Sequence, residues 1–247
     1  MNRWALVAVG VGVCAIALVA MAPATLIDAG LSGSSQGRVR LADARGTLWS
    51  GAGQIEFRNA LGHAGVSRGL AWHVAPAALL RGRLVYEVTL ERSAQPFPVT
   101  ISASRIEVTN AEVNLPAAAL GLGMPKLAPL GLTGDVLIRV ASLAVARDGM
   151  NGNATLRWSD AGSALTPVSP LGDYEVRLDG EGVTLHAYLR TIEGPLRLDG
   201  QGSWKRGTNP DFLATAQVAS QHRKELAPLL RLIAVERGEG RFELKLN

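Results

Sequence analysis

The chain of 247 residues contains a single cysteine, Cys14, so it cannot form an internal disulfide. Its four histidines lie far apart, and none stands at a metal-site spacing from a cysteine, aspartate or glutamate. It contains no Walker or dinucleotide phosphate loop and no long run of like charges. These absences argue against a metal site, a nucleotide cofactor and nucleic-acid binding, and the sequence predicts no cofactor.

One short motif matches a catalytic pattern. Gly65-Val-Ser-Arg-Gly69 fits G-x-S-x-G, the nucleophile elbow of α/β-hydrolases, which would make Ser67 a nucleophile. The elbow requires a helix after the serine, whereas the strand-like residues 70–74 follow it here. The chain also lacks the continuous apolar runs of a parallel sheet. We therefore interpret the motif as a plain turn and expect a protein that is not an enzyme.

The longest uncharged apolar run spans Ala5 to Ala22, directly after Arg3 and Trp4. As a helix it would measure about 27 Å at about 1.5 Å per residue, close to the thickness of a bilayer core. The sequence predicts a membrane anchor with Trp4 at the interface. Because the positive charge precedes the run, residues 1–24 form a cytoplasmic stub and anchor, and residues 25–247 lie outside the cytoplasm.

A cleavable signal peptide is the alternative to a retained anchor. Ala20-Met21-Ala22 resembles the small-x-small pattern that precedes a cleavage site, so the N-terminal helix could be removed after Ala22. Both interpretations export the remainder of the chain.

The exported part alternates apolar and polar residues, as half-buried strands do. We predict a mainly β fold, in which one N-terminal transmembrane helix precedes a curved, largely antiparallel sheet of half-barrel or groove form. The predicted strands are 38–42, 83–91, 99–108, 135–145, 153–158, 173–178, 183–189, 196–204 and 240–246. The few short helices are predicted at 75–80, 113–121 and 222–235.

The β-rich region, 25–247, shows a loose internal similarity. Residues 45–53 and 152–162 share a leading glycine, a tryptophan followed by serine, and small residues at the end. A proline-rich loop lies between these segments. The region is therefore predicted to comprise two related halves split near 122–132.

Four tryptophans, Trp49, Trp72, Trp158 and Trp204, lie within or at the end of predicted strands. A wide indole covers glycine and small residues on adjacent strands, so we expect these side chains to fill the core. The alternative is that several of them line an apolar groove for a ligand or peptide. Gly51 and Gly53 leave a gap on the predicted core face, and a scaffold would pack that gap whereas a groove would leave it open.

Four segments together resemble the general secretion pathway protein N family, the N component of bacterial type II secretion systems. They are G-T-L-W-S-G at 46–51, W-H-V-A-P-A-A-L-L-R-G at 72–82, L-R-W-S-D-A-G-S-A-L-T-P-V-S-P-L-G-D-Y at 156–174 and G-E-G-R-F-E-L-K-L at 238–246. The resemblance covers nearly the whole chain.

The resemblance implies a single-pass inner-membrane protein of a Gram-negative bacterium with a periplasmic β-rich domain. Its role would be accessory, in the export of folded proteins across the outer membrane, with other secretion components as partners and membrane lipid around the N-terminal helix. It implies no catalytic residues. The strand pattern behind one membrane helix also looks like that of bridge-like envelope proteins that handle lipids, so a lipid- or apolar-ligand-binding groove is the rival function.

Overall fold

The computed structural model of the protein describes residues 14, 17–58, 64–79, 82–93, 95–123, 127–205, 207–208, 211–238 and 240–246. Trp4 and Ala5, where the anchor is predicted to begin, lie outside these residues. Within the part of the chain that is described, no helix is both long enough and apolar enough to cross a membrane.

The described residues form fourteen strands and four α-helices. The strands are β1 (Val39–Gly46), β2 (Ser50–Arg58), β3 (Ala64–Val74), β4 (Leu84–Leu90), β5 (Phe97–Ile101), β6 (Arg105–Pro116), β7 (Leu132–Ala146), β8 (Met150–Ser163), β9 (Gly172–Glu181), β10 (Thr184–Glu193), β11 (Leu196–Lys205), β12 (Asp211–Val218), β13 (Val235–Gly238) and β14 (Arg241–Leu246). The helices are α1 (Thr25–Ser34), α2 (Pro76–Leu79), α3 (Ala118–Gly123) and α4 (Arg223–Ile233), and Ala128–Leu130 and Ser220–His222 form 3-10 turns.

All fourteen strands belong to one open antiparallel sheet, which confirms the prediction of a mainly β, antiparallel fold with few short helices. From β1 to β12 each strand lies beside its neighbour in sequence. The order then changes, because β14 lies between β12 and β13. Strands β6 and β7 pair directly, so the sheet is continuous across the loop at 122–132.

The ends of the strands lie along two opposite sides of the sheet, which we call the proximal edge and the distal edge, and which differ from the outermost strands β1 and β13. The proximal edge holds the connections β1–β2, β3–β4, β5–β6, β7–β8, β9–β10 and β11–β12. The distal edge holds the other connections, which include α3 and α4. The two longest connections, which carry α3 and α4, therefore lie at the distal edge, whereas most proximal connections are tight turns and the proximal β3–β4 connection carries α2.

The two faces of the sheet differ in polarity. Directly paired residues of antiparallel strands point to the same side of the sheet, so each face can be followed from strand to strand. Trp72 pairs with Gly51 on one side and with Val88 on the other. Following these pairs across the sheet gives one apolar face that extends from Leu41 in β1 to Phe242 in β14. We call this side the apolar face and the opposite side the polar face.

Bulges preserve this separation of the faces. Asp43 and Asp160 have φ values of 50° and 49°, and the register shifts beside each of them. One extra residue in a strand reverses the alternation beyond it. In β8 this allows Trp158, before the bulge, and the fully buried Ala161, after it, to lie on the apolar face.

The apolar face is covered at two places. At the distal edge, Leu226, Leu229 and Leu230 of α4 pack against a cluster that also contains Leu130, Val168, Leu171, Leu196, Ala216, Val218 and Phe242. Near β1, Ala24 packs against Leu41 and Trp72, with Ile27 and Leu31 of α1 beside them. These two clusters form the ends of the hydrophobic core, which also includes the buried Phe97, Ala111 and Val136 on strands between them.

Helix α1 protects the edge strand β1. The Asp28 carboxylate accepts a hydrogen bond from the backbone N–H of Leu41 at 2.8 Å and two from the Arg40 guanidinium at 2.9 and 2.8 Å. The hydrogen bonds from Arg40 and then from Leu41 lower the pKa of Asp28. A strand edge left unpaired would invite another chain to pair with it, so this arrangement discourages edge-to-edge association.

Two local predictions were wrong. Residues 99–108 are not one strand, because the backbone N–H of Ser102 donates to the carbonyl of Arg105 and closes a turn between β5 and β6. The short helix expected at 113–121 starts later, at Ala118, because Val113 and Leu115 pair with β7 and extend β6 to Pro116. The helices predicted at 75–80 and 222–235 are confirmed as α2 and α4.

Candidate binding face

The middle of the apolar face carries large side chains that are not buried. We call these residues the open apolar strip. They lie on β4 to β11, outside the two core clusters, and comprise Leu84, Val99, Ile101, Ile106, Val108, Leu143, Val145, Met150, Leu178, Leu185, Leu189 and Trp204. An apolar surface of this length is unusual for a soluble monomer and is typical of a binding site.

The accessible surface of the protein agrees with an uncovered face. It measures 15255 Å², whereas a compact monomer of 26.0 kDa would expose about 10,500 Å². Fourteen strands spaced about 4.8 Å apart make a sheet about 60 Å across. Helices α1 and α4 pack at the two ends of the apolar face, and the short helix α3 contacts β2, β3 and β7 at the distal edge.

The polar face is suited to water instead. Ion pairs connect neighbouring strands across it: Arg139 with Glu112 at 3.0 Å, and Arg190 with Glu175 at 2.6 Å. The arginine side chains of both pairs are more than half exposed, so each pair contributes little to stability. The candidate binding surface is therefore the apolar face.

All four predicted tryptophans use the indole N–H to bind a backbone carbonyl. Trp49 donates to Val19 at 2.8 Å, Trp72 to Thr47 at 3.1 Å, Trp158 to Thr133 at 2.9 Å and Trp204 to Thr208 at 2.9 Å. Their burial differs. Trp72 is buried, Trp49 and Trp158 are half-buried, and Trp204 is 51% exposed.

The gap above Gly51 and Gly53 is packed. A Cβ atom added to Gly51 would lie 2.5 Å from Cζ2 of Trp72, and one added to Gly53 would lie 2.9 Å from Cδ1 of Leu41. Both distances are far below ordinary carbon contacts. The part of the apolar face beside β1 is therefore filled by the protein's own side chains, and the open apolar strip begins at β4.

A shallow pocket of about 280 Å³ lies where the open apolar strip meets the proximal edge. Its walls include Val145, Met150, Val183, Leu185 and Trp204. The pocket is smaller than a typical site for a drug-sized ligand, so it accommodates part of a longer apolar molecule or a protruding side chain.

An arginine interrupts the apolar face near the distal edge. Arg68 lies opposite Ile55 on β2, and its Nη1 donates to the carbonyl of Ser67 at 3.0 Å. Its Nε is buried and has no hydrogen-bond partner. A buried donor without a partner costs free energy, so this position would favour an anionic or carbonyl group from a bound molecule.

Ser67 does not lie in a turn, so that part of the sequence interpretation was wrong. It lies within β3 because Val66 and Arg68 on either side of it pair with Phe57 and Ile55. Its hydroxyl donates to Oε1 of Gln54 at 2.9 Å, and an amide oxygen cannot act as a general base at neutral pH. The strained strand-to-helix turn of a nucleophile elbow does not occur here.

A family model described as type II secretion system (T2SS), protein N, matches residues 37–245. The chain belongs to this family. The match confirms the resemblance seen in the sequence, and it covers the sheet almost from the start of β1 to the end of β14. Searches of curated proteins and of solved structures found no significant match. The type II secretion system protein N family associates the chain with protein transport.

The residues that the sequence did not single out are those of the open apolar strip close to the turns. Ile101 and Val145 of the strip, and Val183 in the turn beside it, each lie at a proximal turn and are exposed. The signal was present in the sequence, because a turn at the surface normally has polar residues beside it. All three residues lie within 37–245, the region that the type II secretion system protein N family model matches.

Proposed function

We propose that the protein is an accessory, non-enzymatic inner-membrane component of the type II secretion system that assists the export of folded proteins across the outer membrane. The observation that carries this proposal is the family match over the whole sheet. The partners are other components of the system in the inner membrane and periplasm, and the open apolar strip is the surface that meets them.

The membrane topology is part of the proposal. Residues 1–24 form the cytoplasmic stub and anchor, and the sheet lies in the periplasm. Two features support a retained anchor. Leu18, Val19 and Met21 are 70%, 57% and 76% exposed, as expected for side chains that contact lipid. Ala22 is buried and its carbonyl accepts a hydrogen bond from Leu48 at 2.8 Å, so cleavage after Ala22 would require this contact to open.

The test is site-specific photocross-linking in cells, followed by purification and mass spectrometry. A cross-linking amino acid replaces Leu143, on the open apolar strip, or the adjacent Ser142, which is exposed on the polar face. Both positions are adjacent on β7, so the two variants differ mainly in the face of the sheet that carries the cross-linker. We expect secretion components to be cross-linked from position 143 and not from position 142. Absence of any secretion component from both positions would contradict the proposal.

The lipid- or apolar-ligand-binding groove is the second candidate, and the open apolar strip together with Arg68 supports it. Acyl chains would lie along the strip, and an anionic headgroup would satisfy the Arg68 guanidinium. The same purification distinguishes the two functions. Phospholipid recovered in stoichiometric amount with the protein, in the absence of secretion components, would favour the groove.

A further inference from the structure

The proximal edge of the sheet gathers exposed apolar side chains. Ile101, Ile106 and Val145 are 37%, 48% and 45% exposed, and Val183 and Trp204 are 57% and 51% exposed. All five lie at strand ends or turns on this edge. Leu79 of α2, 40% exposed, lies on the same edge. Ile101 and Ile106 pair within the β5–β6 hairpin, but the other side chains belong to four further connections, so no single local sequence accounts for their clustering.

Basic side chains accompany them. Arg83 precedes β4 and Arg105 begins β6, and both line a pocket of about 680 Å³ at the proximal edge. The pocket walls also include Arg147, Glu107 and Asp148, so three of its five charged residues are basic. Arg83 and Arg105 are both exposed. Apolar side chains beside arginines are the combination that proteins use to bind the interface of an anionic bilayer.

The N-terminal segment is attached to this same edge. The indole N–H of Trp49 donates to the carbonyl of Val19 at 2.8 Å. The backbone N–H of Leu48 donates to the carbonyl of Ala22 at 2.8 Å. The backbone N–H of Ala24 donates to the carbonyl of Gly46 at 3.2 Å. An anchor that ends near residue 22 would therefore hold the proximal edge at the membrane surface, whereas the distal edge would point away from it.

We propose that the proximal edge docks on the membrane surface. Leu79, Ile101, Ile106, Val145, Val183 and Trp204 enter the headgroup region of a phospholipid bilayer. Arg83 and Arg105 bind lipid phosphates. The strands then stand upright on the membrane, and the open apolar strip meets the bilayer at its proximal end. This inference rests on the anchor in the proposed function, but not on the identity of the secretion partners.

The experiment uses three full-length proteins with one cysteine each. The first keeps Cys14, the second carries Cys14→Ser and Val183→Cys, and the third carries Cys14→Ser and Ile192→Cys. Val183 directly precedes β10 and Ile192 lies near its distal end, so the two sites are about 30 Å apart at about 3.3 Å per residue. Both are exposed, which makes Ile192 a matched control.

Each protein is labelled with a small fluorophore and reconstituted into vesicles of phosphatidylethanolamine and phosphatidylglycerol, with and without brominated acyl chains. A docked edge lies about 5–10 Å into the interface, so we expect at least about threefold more quenching at Val183 than at Ile192. Replacing Arg83 and Arg105 with Glu, or phosphatidylglycerol with phosphatidylcholine, should reduce the quenching at Val183 only.

The label on Cys14 reports whether the anchor has inserted. Strong quenching at Cys14 with equal, weak quenching at Val183 and Ile192 would overturn the docking proposal and leave the anchor intact. Absence of quenching at Cys14 would overturn the anchor and the docking proposal together. Neither result bears on the cross-links to secretion components, so the proposals fail separately.

Discussion

Replacement of Gly51 by alanine should destabilise the protein strongly, although it adds a single methyl group. The new Cβ would lie 2.5 Å from Cζ2 of Trp72, and it would also contact the carbonyl oxygen of Arg45. The indole must move, which breaks its hydrogen bond to Thr47, and strands β1 and β2 must also separate locally to relieve the contact with the Arg45 carbonyl. Overpacking costs about 1–3 kcal/mol and a lost hydrogen bond about 1 kcal/mol, so we expect a loss of about 2–4 kcal/mol.

Urea unfolding of the detergent-solubilised protein, followed by tryptophan fluorescence, measures this loss as a change in the free energy of unfolding. Gly69→Ala is the control. Gly69 lies on the polar face of β3, and its added Cβ would make an ordinary contact of 3.4 Å with Glu91. We expect no loss there, and a gain of up to about 1 kcal/mol from the smaller entropy of the unfolded chain.

A double-mutant cycle separates the two contacts. In the Trp72→Phe background the smaller ring should remove the indole part of the clash, so Gly51→Ala should cost at least about 1 kcal/mol less. A loss below about 0.5 kcal/mol for Gly51→Ala in the wild-type background would refute the conclusion that Trp72 fills the space above Gly51.

Three further predictions concern the core, the edge strand and the serine motif. Leu226→Ala should lower the free energy of unfolding by about 2–5 kcal/mol, because Leu226 of α4 is fully buried against the sheet. Leu232→Ala, at a site 68% exposed on the same helix, should change it by less than about 0.5 kcal/mol in the same urea assay. The pKa of Asp28 is lowered in the folded state, so its contribution to the free energy of unfolding is complete above its ordinary pKa of 3.8 and is lost as the pH falls through the lower folded pKa. Asp28→Asn should therefore reduce the difference in urea midpoint between pH 5 and pH 3. An unchanged difference would contradict the role of the Arg40 contact. Ser67→Ala should leave secretion unchanged when the variant complements a deletion strain. A loss of secretion at an unchanged amount of the variant protein would contradict the conclusion that Ser67 has only a structural role.

Strand positions were predictable because burial on one side imposes alternation. The pattern Leu84, Tyr86, Val88 and Leu90 identifies β4 without any knowledge of its neighbours. The prediction failed where small polar residues form a turn inside an apolar run, as at Ser102 between β5 and β6. Such residues occur in strands as well, so composition alone does not locate the turn.

Helix α1 was not predicted, and its local sequence explains why. It contains Gly30 and Gly33, and no side chain caps its N-terminus. The helix is held by tertiary contacts, in which Asp28 binds Arg40 and Leu41 of β1. Interactions with a segment that lies later in the chain leave no periodic signal in the helix itself.

The apolar face was predictable, but its covered and open parts were not. Ile106 of the open strip and Phe242 of the distal core both alternate with polar residues in their strands. One is 48% exposed and the other 1% exposed, because α4 covers only the second. Which part of a face a helix covers depends on where the long connections lie, and the two longest, which carry α3 and α4, both lie at the distal edge.

The strand order has a consequence for folding. From β1 to β12, each strand pairs with the strand that precedes it in the chain, so the sheet can grow by one hairpin at a time with little loop entropy to overcome. The rule ends at the last two strands, because β13 emerges before β14 but must wait for it. Phe242 of β14 also completes the core beneath α4. Strand β14 therefore provides the closing step of assembly, and its loss should leave β13 unpaired and remove Phe242 from the core on which α4 packs.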